Sequence, residues 1–292
     1  MHAVIDRQKN HGIHVRVLAK IRQGPRFDRW ARDHGGVFPV REMDETNDRR
    51  YFRHKQGAPV WKGASFDQYD PHGREVAGYA DWEELIPFLQ AKRAKSRTFR
   101  AAFPPSVLAD PSTLPIHRAR VAFRDVSRAT DSRTVRACLV PPGTPLTNTA
   151  PYLVFPRGGT LAEAYVLGIL NSLPFDWQAR RYVETHLNFY ILDLLCFPPD
   201  EGADVGGIAR RAVRLSCADD RFAAFARQAG VPCGQLPAGE RQLLRAQVDA
   251  LVAVAYGLDE DDLELIFTDF TLDAVPAEYR ELVRREFREL RR

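Results

Sequence analysis

The sequence predicts a mixed α/β body (α+β) followed by an α-helical C-terminal region. Two short apolar stretches around a polar turn at 120–140 indicate a β-hairpin. The apolar stripe of 160–173 indicates a helix that packs on the sheet. We expect two domains, residues 1–199 and residues 208–292, because a chain of 292 residues commonly forms more than one core and 200–207 has the composition of a linker.

The N-terminal third predicts isolated short elements rather than one regular pattern. Residues 12–22 alternate apolar and polar side chains and predict a strand, and 25–36 predict a short helix that ends at glycine. Residues 37–80 are polar, aromatic and rich in turns. Residues 87–100 start on a proline and predict a basic helix, and a proline-rich connection follows at 104–115.

The hairpin is the clearest predicted β-structure. Val121 and Phe123 alternate with less apolar neighbours, which is typical of a half-buried strand. Residues 132–140 supply the returning strand, and 151–156 predict a third short strand. The turn between the first two strands is therefore expected to form a polar tip.

Helical signals dominate from residue 160 onwards. Thr160 and Glu163 have the spacing of a capping box, and Pro174 is expected to restart a second helix. In the C-terminal region, 237–257 predict a helix between Pro237 and Gly257, Asp259 is expected to cap the next helix, and 276–290 predict the last helix.

Composition limits the class of protein. The apolar fraction is 45% with 10% aromatic residues, no apolar run is long enough to span a bilayer, and the first ten residues lack a signal-peptide core. We therefore expect a cytoplasmic protein without a membrane partner. The four cysteines form no CxxC pair, and Cys138 and Cys196 are expected in the core.

Charge is distributed unevenly along the chain. Residues 1–109 hold 20 Lys+Arg against 13 Asp+Glu, residues 110–200 hold 9 against 8, and residues 201–292 hold 13 against 17. A basic N-terminal part suggests a surface for a polyanion, although an ordinary solvated surface explains the same gradient equally well.

The common catalytic signatures are missing. The sequence contains no GxxxxGK[ST], GxGxxG, HExxH, GxSxG or SxxK pattern and no Asn-Pro-Pro-aromatic segment for a flipped base. The eight histidines are scattered. We predict no catalytic residue and no metal site on this chain.

Five stretches occur in order along the chain: "MDETNDRRYF" (43–52), "PVWKGASFDQYDP" (59–71), "RVAFRDVSRATDSRTVRACLVPPG" (120–143), "LGILNSLPFDWQARRYVETHLNFYILDLLCFPP" (167–199) and "VDALVAVAYGLDEDDLELIF" (248–267). In this order they resemble the C-terminal target-recognition region of large adenine-specific DNA methyltransferases. This group includes Type IIG restriction–modification fusion enzymes and the methylases of the BREX and DISARM phage-defence systems. In the second stretch, Trp61, Lys62 and Phe66 depart from the residues that the family commonly has there.

The resemblance implies a specificity function. In such enzymes a SAM-binding catalytic domain precedes this region, so the chain is expected to act with a separate SAM-dependent methyltransferase domain or subunit. It would bind double-stranded DNA and hold a short site, while the catalytic part flips and methylates the target adenine.

Residues suited to DNA contact lie in three polar turns. Arginine suits guanine edges and phosphates, asparagine and glutamine suit adenine, and aspartate accepts from cytosine. An internal Arg–Asp lattice is the stronger interpretation for Arg124 with Asp125, and an Asx turn competes for the first two loops. The candidates are Thr46, Asn47, Arg49, Lys62, Gln68, Tyr69, Arg124, Arg128, Thr130, Asp131 and Arg133.

Two further stretches have weaker functional signals. The cations of 92–100 (Lys92, Arg93, Lys95, Arg97 and Arg100) suit phosphates, but a solvated helix face explains such a run more often. In 180–192, His186 and Asn188 are expected to form a polar pair at the start of a strand, with a base contact as the weaker alternative. The aromatic and aliphatic residues there are expected in the core: Tyr182, Val183, Leu187, Tyr190 and Ile191.

Two other functions remain open from the sequence. A non-catalytic assembly subunit of a phage-defence complex could use the acidic C-terminal helices as its binding surface. A nuclease subunit is the third possibility, but acidic residues at the spacing of a PD-(D/E)xK metal site are not visible.

Overall fold

The computed structural model describes residues 14–292, and these residues form a mixed α/β structure with a helical C-terminal region, as the sequence predicts. The main sheet is antiparallel and has four strands in the order β1–β6–β4–β5. A separate two-stranded antiparallel sheet pairs β2 with β3. The strands are β1 (Phe38–Val40), β2 (Ala58–Trp61), β3 (Val76–Ala80), β4 (Arg120–Phe123), β5 (Ala137–Val140) and β6 (Tyr152–Val154).

The hairpin prediction is confirmed, but the half-buried pattern is wrong. All four residues of β4 are buried. Val121 and Phe123 pack into the large core that the helices share, whereas Ala122 faces a second apolar cluster containing Phe38 and Phe99. Both faces of the sheet are covered. Alternate side chains of β4 therefore point into two different apolar clusters, and neither set faces solvent.

The first described segment corrects the sequence prediction. Residues 14–21 form a helix, α1, and not a strand. Val17 and Ile21 are buried one helical turn apart, while Val15 is exposed. Lys20 reaches Asp262 over 2.5 Å and Arg16 reaches it over 2.7 Å, so ion pairs tie α1 to a helix near the C-terminus.

The basic helix expected at 87–100 is two helices. Asp81 accepts hydrogen bonds from the amides of Glu83 and Glu84, so α3 begins before Pro87. Ser96 ends α3 and caps α4 by accepting from the amide of Phe99. The helices of this part are α2 (Phe27–Asp33), α3 (Trp82–Lys95), α4 (Arg97–Ala102) and α5 (Pro105–Ala109), the last within the expected connection.

The predicted helix at 160–173 is confirmed as α6 (Thr160–Asn171), but its predicted capping box is wrong. Gly159 occupies the N-cap position, and the Thr160 hydroxyl donates to Gln228 Oε1 at 2.6 Å. Glu163 is only 6% exposed, and its carboxylate has no hydrogen-bond or ion-pair partner among residues 14–292. Burial raises the pKa of Glu163 from 4.5 to about 7, and nearby Arg118 opposes that shift.

Glu163 is expected to make stability fall as pH rises. The folded state holds a proton on Glu163 that the unfolded chain releases, so stability declines from about pH 4.5 to about pH 7, by about 3 kcal/mol at most. His117, Arg118 and Arg221 are the titratable and charged groups that line the same cavity. Urea unfolding at pH 5 and pH 8 should show this decline in the parent and not in Glu163→Gln.

The matched control is Glu240→Gln, because Glu240 is exposed on a C-terminal helix. It should reproduce the parent's pH dependence. Equal pH dependence of the parent and Glu163→Gln would contradict the assigned shift.

The helices after α6 share one core with the sheet. Asp204 accepts from the amide of Gly207 and begins α9 at Val205, so the expected linker is partly helical. Gly168 of α6 permits close approach of α9, because a Cβ there would lie 2.6 Å from Ile208 Cγ2. These helices are α7 (Leu173–Ala179), α8 (Phe189–Leu194), α9 (Val205–Ser216), α10 (Ala223–Gln228), α11 (Ala238–Ala255), α12 (Glu260–Thr268) and α13 (Ala277–Leu290).

The apolar core continues across the expected domain boundary. A single buried cluster includes Val17 of α1, Phe123 of β4 and Phe287 of α13. The division of the chain at 200–207 into two domains stays a prediction. Within residues 14–292, no helix is both long enough and apolar enough to cross a bilayer.

The predicted C-terminal helices are confirmed, including the cap at Asp259, which accepts from the amide of Asp262. Acidic side chains of α12 pair with α13: Glu264 with Arg284 at 2.5 Å and Glu260 with Arg288 at 2.9 Å. Part of the acidic surplus of this region is therefore neutralised within it.

Candidate nucleic-acid interface

The tip loop, residues 124–136, connects β4 to β5 and is held by side chains of α7 and its C-terminal end. Asp176 is fully buried, accepts from the amide of Val135 at 2.5 Å and pairs with Arg180 at 3.2 Å. Arg180 in turn donates to the carbonyls of Ala129 and Asp131, at 2.6 and 2.7 Å. The loop backbone is thereby fixed while some of its side chains reach solvent.

Asp125 fixes a second side of the tip loop. Its carboxylate lies 3.1 Å from Arg41 Nη2 and 2.9 Å from His186 Nδ1, and its carbonyl accepts from the amide of Leu187 at 2.7 Å. Val126 and His186 form an isolated antiparallel bridge. The side chains of Arg41 and His186 remain 43% and 52% exposed.

The three loops that carry the predicted contact residues converge on Thr147–Thr149. The carbonyl of Thr149 accepts from the amide of Asp125 at 3.0 Å, and its hydroxyl accepts from the amide of Gly63 at 3.1 Å. Both threonine hydroxyls donate to Glu45 Oε1, at 2.7 and 2.6 Å. The loops around residues 45, 63 and 125 are therefore joined through Thr147–Thr149.

The first loop exposes Thr46, Asn47 and Arg49. Asp44 Oδ1 accepts from the amides of Thr46 and Asn47, at 3.0 and 2.8 Å, which makes the expected Asx turn. The Asx turn uses backbone amides of the loop, so the side chains of Thr46 and Asn47 stay available to a ligand. The Arg49 guanidinium has no ion-pair partner among the residues that the structure describes.

Cations of the second loop, residues 62–69, and at the start of the tip loop are partly neutralised. Lys62 Nζ lies 3.0 Å from Glu75. Arg124 donates from Nε to the carbonyl of Phe66 at 2.8 Å and lies 3.5 Å from Asp67. Arg124 and Asp125 do not pair with each other, so this part of the predicted Arg–Asp lattice is wrong. Each is instead held by other internal partners, as an internal lattice requires.

Three predicted contact residues are buried. Gln68 Nε2 donates to the carbonyl of Val135 at 2.8 Å, and its Oε1 accepts from Arg245 at 2.9 Å. Tyr69 has φ 57° and a buried hydroxyl, and Arg133 donates to the carbonyl of Asn171 at 2.6 Å. In this conformation Gln68, Tyr69 and Arg133 face the C-terminal helices and cannot contact a duplex.

The remaining tip residues are at the surface. Arg128 and Thr130 are exposed. Asp131 is half-buried, and its carboxylate accepts from the amide of Arg128 at 3.2 Å. The Arg128 guanidinium has no ion-pair partner within 14–292. Among the predicted contact residues, Arg49 and Arg128 are therefore the exposed arginines without an ion-pair partner within residues 14–292.

The basic run of α3 and α4 does not act as one surface. Lys92 pairs with Asp48 at 2.9 Å, and Arg93 is buried, donating to the carbonyls of Leu108 and Asp110. Lys95, Arg97 and Arg100 are exposed, as a solvated helix face would be.

The list of predicted contact residues does not include three residues of these loops and their neighbours: Arg41, Thr149 and Tyr190. Tyr190 was expected in the core but is 72% exposed, next to Phe189, whose ring lies 4.6 Å from the Arg41 guanidinium carbon. Val126 is 53% exposed. Asn188 caps α8 and begins no strand, which corrects the predicted strand at this point. Tyr190 lies beside Phe189, Ile191 and Leu192, so nothing in the local sequence indicates that its side chain faces solvent.

The described residues contain no group of three or more His, Cys, Asp or Glu side chains placed to hold a metal ion. Cys138 and Cys196 are buried, as predicted, and burial raises the pKa of both thiols. Comparison of the chain with protein-family models and with curated proteins found no match to either.

Proposed function

We propose that this chain binds double-stranded DNA as the specificity part of an adenine-N6 DNA methyltransferase of a restriction–modification or phage-defence system. A separate SAM-dependent catalytic part would hold the cofactor and transfer the methyl group. The observation that carries the proposal is the convergence of three polar loops on Thr147–Thr149, which gathers exposed side chains from positions far apart in the sequence.

The chemistry of this surface suits a duplex. Free guanidiniums of Arg49 and Arg128 can neutralise phosphates or donate two hydrogen bonds to guanine. Asn47 offers the amide that pairs with adenine. Tyr190 and Val126 add exposed apolar area beside these polar groups, which suits contact with a thymine methyl group or a base.

Fixed loops also favour specificity. Arg41 and His186 are oriented by the same buried carboxylate, that of Asp125, and the tip loop is held by Arg180. Loops whose backbones are already fixed lose less conformational entropy on binding. We therefore propose that the base-reading residues lie in the tip loop and the first loop, and that Arg41 positions the backbone of the duplex.

The test is the affinity of the full chain for a fluorescent duplex pool at about 50 and about 200 mM salt. Arg49→Ala with Arg128→Ala should weaken binding about 100-fold at the lower salt, about tenfold for each arginine. The slope of log K against log salt should become shallower by about 1.8, since each phosphate contact contributes about 0.9.

The matched control is Arg210→Ala with Arg227→Ala, two exposed arginines on α9 and α10. This pair should leave the affinity and the slope unchanged. No duplex binding at the lower salt, with a partner protein still captured, would favour the assembly-subunit function and reject the proposal. Equal weakening by both double variants would also reject it.

A further inference from the structure

A cavity of about 270 Å³ lies at the end of the hairpin opposite the tip loop. Ala119, just before β4, and Pro142, just after β5, form one side, and the N-terminal turn of α6 forms another. Phe225 and Gln228 of α10 close it. None of the DNA-contact residues proposed above lines this cavity.

Glu163 is the unusual group in this cavity. Its side chain is almost fully buried, lines the cavity and has no hydrogen-bond donor among residues 14–292. Neither carboxylate oxygen of Glu163 is among the enclosed side-chain atoms that lack a partner, so the carboxylate is open to the cavity. The N–H groups of a bound molecule can therefore donate to it there.

The mouth of the cavity has the opposite charge. Arg118 and Arg221 both line it and both are exposed. Arg221 already pairs with Asp219 at 2.8 Å, whereas the Arg118 guanidinium has no ion-pair partner in the described part of the chain. Guanidiniums of this kind bind carboxylate and phosphate groups through paired hydrogen bonds.

We infer that this cavity binds a small molecule that presents two adjacent N–H donors to Glu163 and an anionic group to Arg118. A carboxylate accepts two parallel N–H groups, and the cavity volume suits a small ligand rather than a polymer. Two sources have this chemistry: a guanine nucleotide, through its N1–H and amino group, and free arginine, through its guanidinium and carboxylate.

Calorimetric titration of the full chain at pH 8 with GMP, AMP and L-arginine tests the inference. GMP or arginine should bind with a Kd of about 1 mM or lower. GMP binding would identify the nucleotide source and arginine binding the amino-acid source. AMP offers one donor group at the edge where guanine offers two, so it should bind at least about tenfold more weakly than GMP where GMP is the ligand.

Variants locate the binding site. Glu163→Gln and Arg118→Ala should each weaken binding by at least about tenfold. Glu240→Gln, and the double change of Arg49 and Arg128, should leave it unchanged, which separates this site from the DNA proposal. Circular dichroism confirms that each variant is folded. No binding of GMP or arginine, or binding that Glu163→Gln leaves intact, would overturn the inference.

Discussion

Replacing Asp176 with alanine is expected to lower the free energy of unfolding by about 3–5 kcal/mol. Asp176 is fully buried, and its carboxylate accepts from the amide of Val135 at 2.5 Å. It also lies 3.2 Å from Arg180 and 3.5 Å from Arg133, two side chains that are themselves almost buried. Alanine would leave both guanidiniums without their counterion in a region of low dielectric.

Urea unfolding at pH 7 measures this loss. Asp176→Asn should lose less than Asp176→Ala, because an amide oxygen can still accept from the amide of Val135. Asp33→Ala is the control: the side chain of Asp33 is 65% exposed and pairs only distantly with Arg29, so the change should cost less than about 0.5 kcal/mol. A loss below about 1 kcal/mol for Asp176→Ala would contradict the structural role.

The same substitution bears on the proposed function. Arg180 holds the carbonyls of Ala129, Asp131 and Ser132, and Asp176 orients Arg180. Without Asp176, the tip loop should become more mobile before the whole chain unfolds. Hydrogen exchange of the tip-loop amides should therefore increase more in Asp176→Ala than in the Asp33→Ala control.

Local patterns predicted the central elements well. The hairpin, β6, α6 and the three C-terminal helices lie close to their expected positions, because apolar periodicity and capping residues are read within each segment. The prediction of a strand where the structure has α1 was wrong for a physical reason. Val15 and Val17 fit a strand period, while Val17 and Ile21 fit a helical turn, and a short segment does not separate the two.

Distant partners decide what local patterns leave open. Arg16 of α1 donates a hydrogen bond to Asp262, 246 positions away, and it makes this contact with the segment folded as a helix. Burial of polar side chains is decided in the same way. Gln68 has the composition of a surface loop residue, but Arg245 reaches it from α11 across 177 positions. Residue type alone does not distinguish a base-reading glutamine from one in a buried network.

The convergence of the loops was likewise not predictable from the sequence. Thr147 and Thr149 lie in a short polar stretch without any motif, and their hydroxyls acquire a function only when Glu45 and Gly63 approach them. The predicted candidates Thr46, Asn47, Arg49 and Arg128 are exposed, whereas Gln68, Tyr69 and Arg133 are buried, so those four exposed residues remain candidates for the proposed interface.

A second large effect is expected at the buried ion pair that supports this junction. Arg120 is 2% exposed, and its Nη1 lies 2.6 Å from Glu42 Oε1. Glu42 Oε2 accepts from the amide of Leu146 at 2.8 Å, and Arg120 Nη2 donates to the carbonyl of Thr144 at 2.5 Å. The pair therefore links β4 and the segment after β1 to the start of the loop that reaches Thr147.

Arg120→Met is expected to destabilise the protein by about 3–5 kcal/mol, because it leaves the Glu42 carboxylate buried without a counterion. Adding Glu42→Gln should restore part of that loss. The neutral amide still accepts from the amide of Leu146, and the uncompensated charge is removed. The double variant should therefore be more stable than Arg120→Met alone.

A double-mutant cycle in urea, with Glu42→Gln as the second single variant, measures the coupling between the two side chains. We expect a coupling free energy of at least about 1 kcal/mol, since the two groups share one buried contact. If the stability losses of the two single variants simply added, the two charges would act independently. Their separation of 2.6 Å in the buried core argues against that outcome. The Arg120 guanidinium carbon lies 4.5 Å from the centre of the Tyr152 ring, and Arg120→Met removes this contact in both the single and the double variant, so its loss cancels in the cycle.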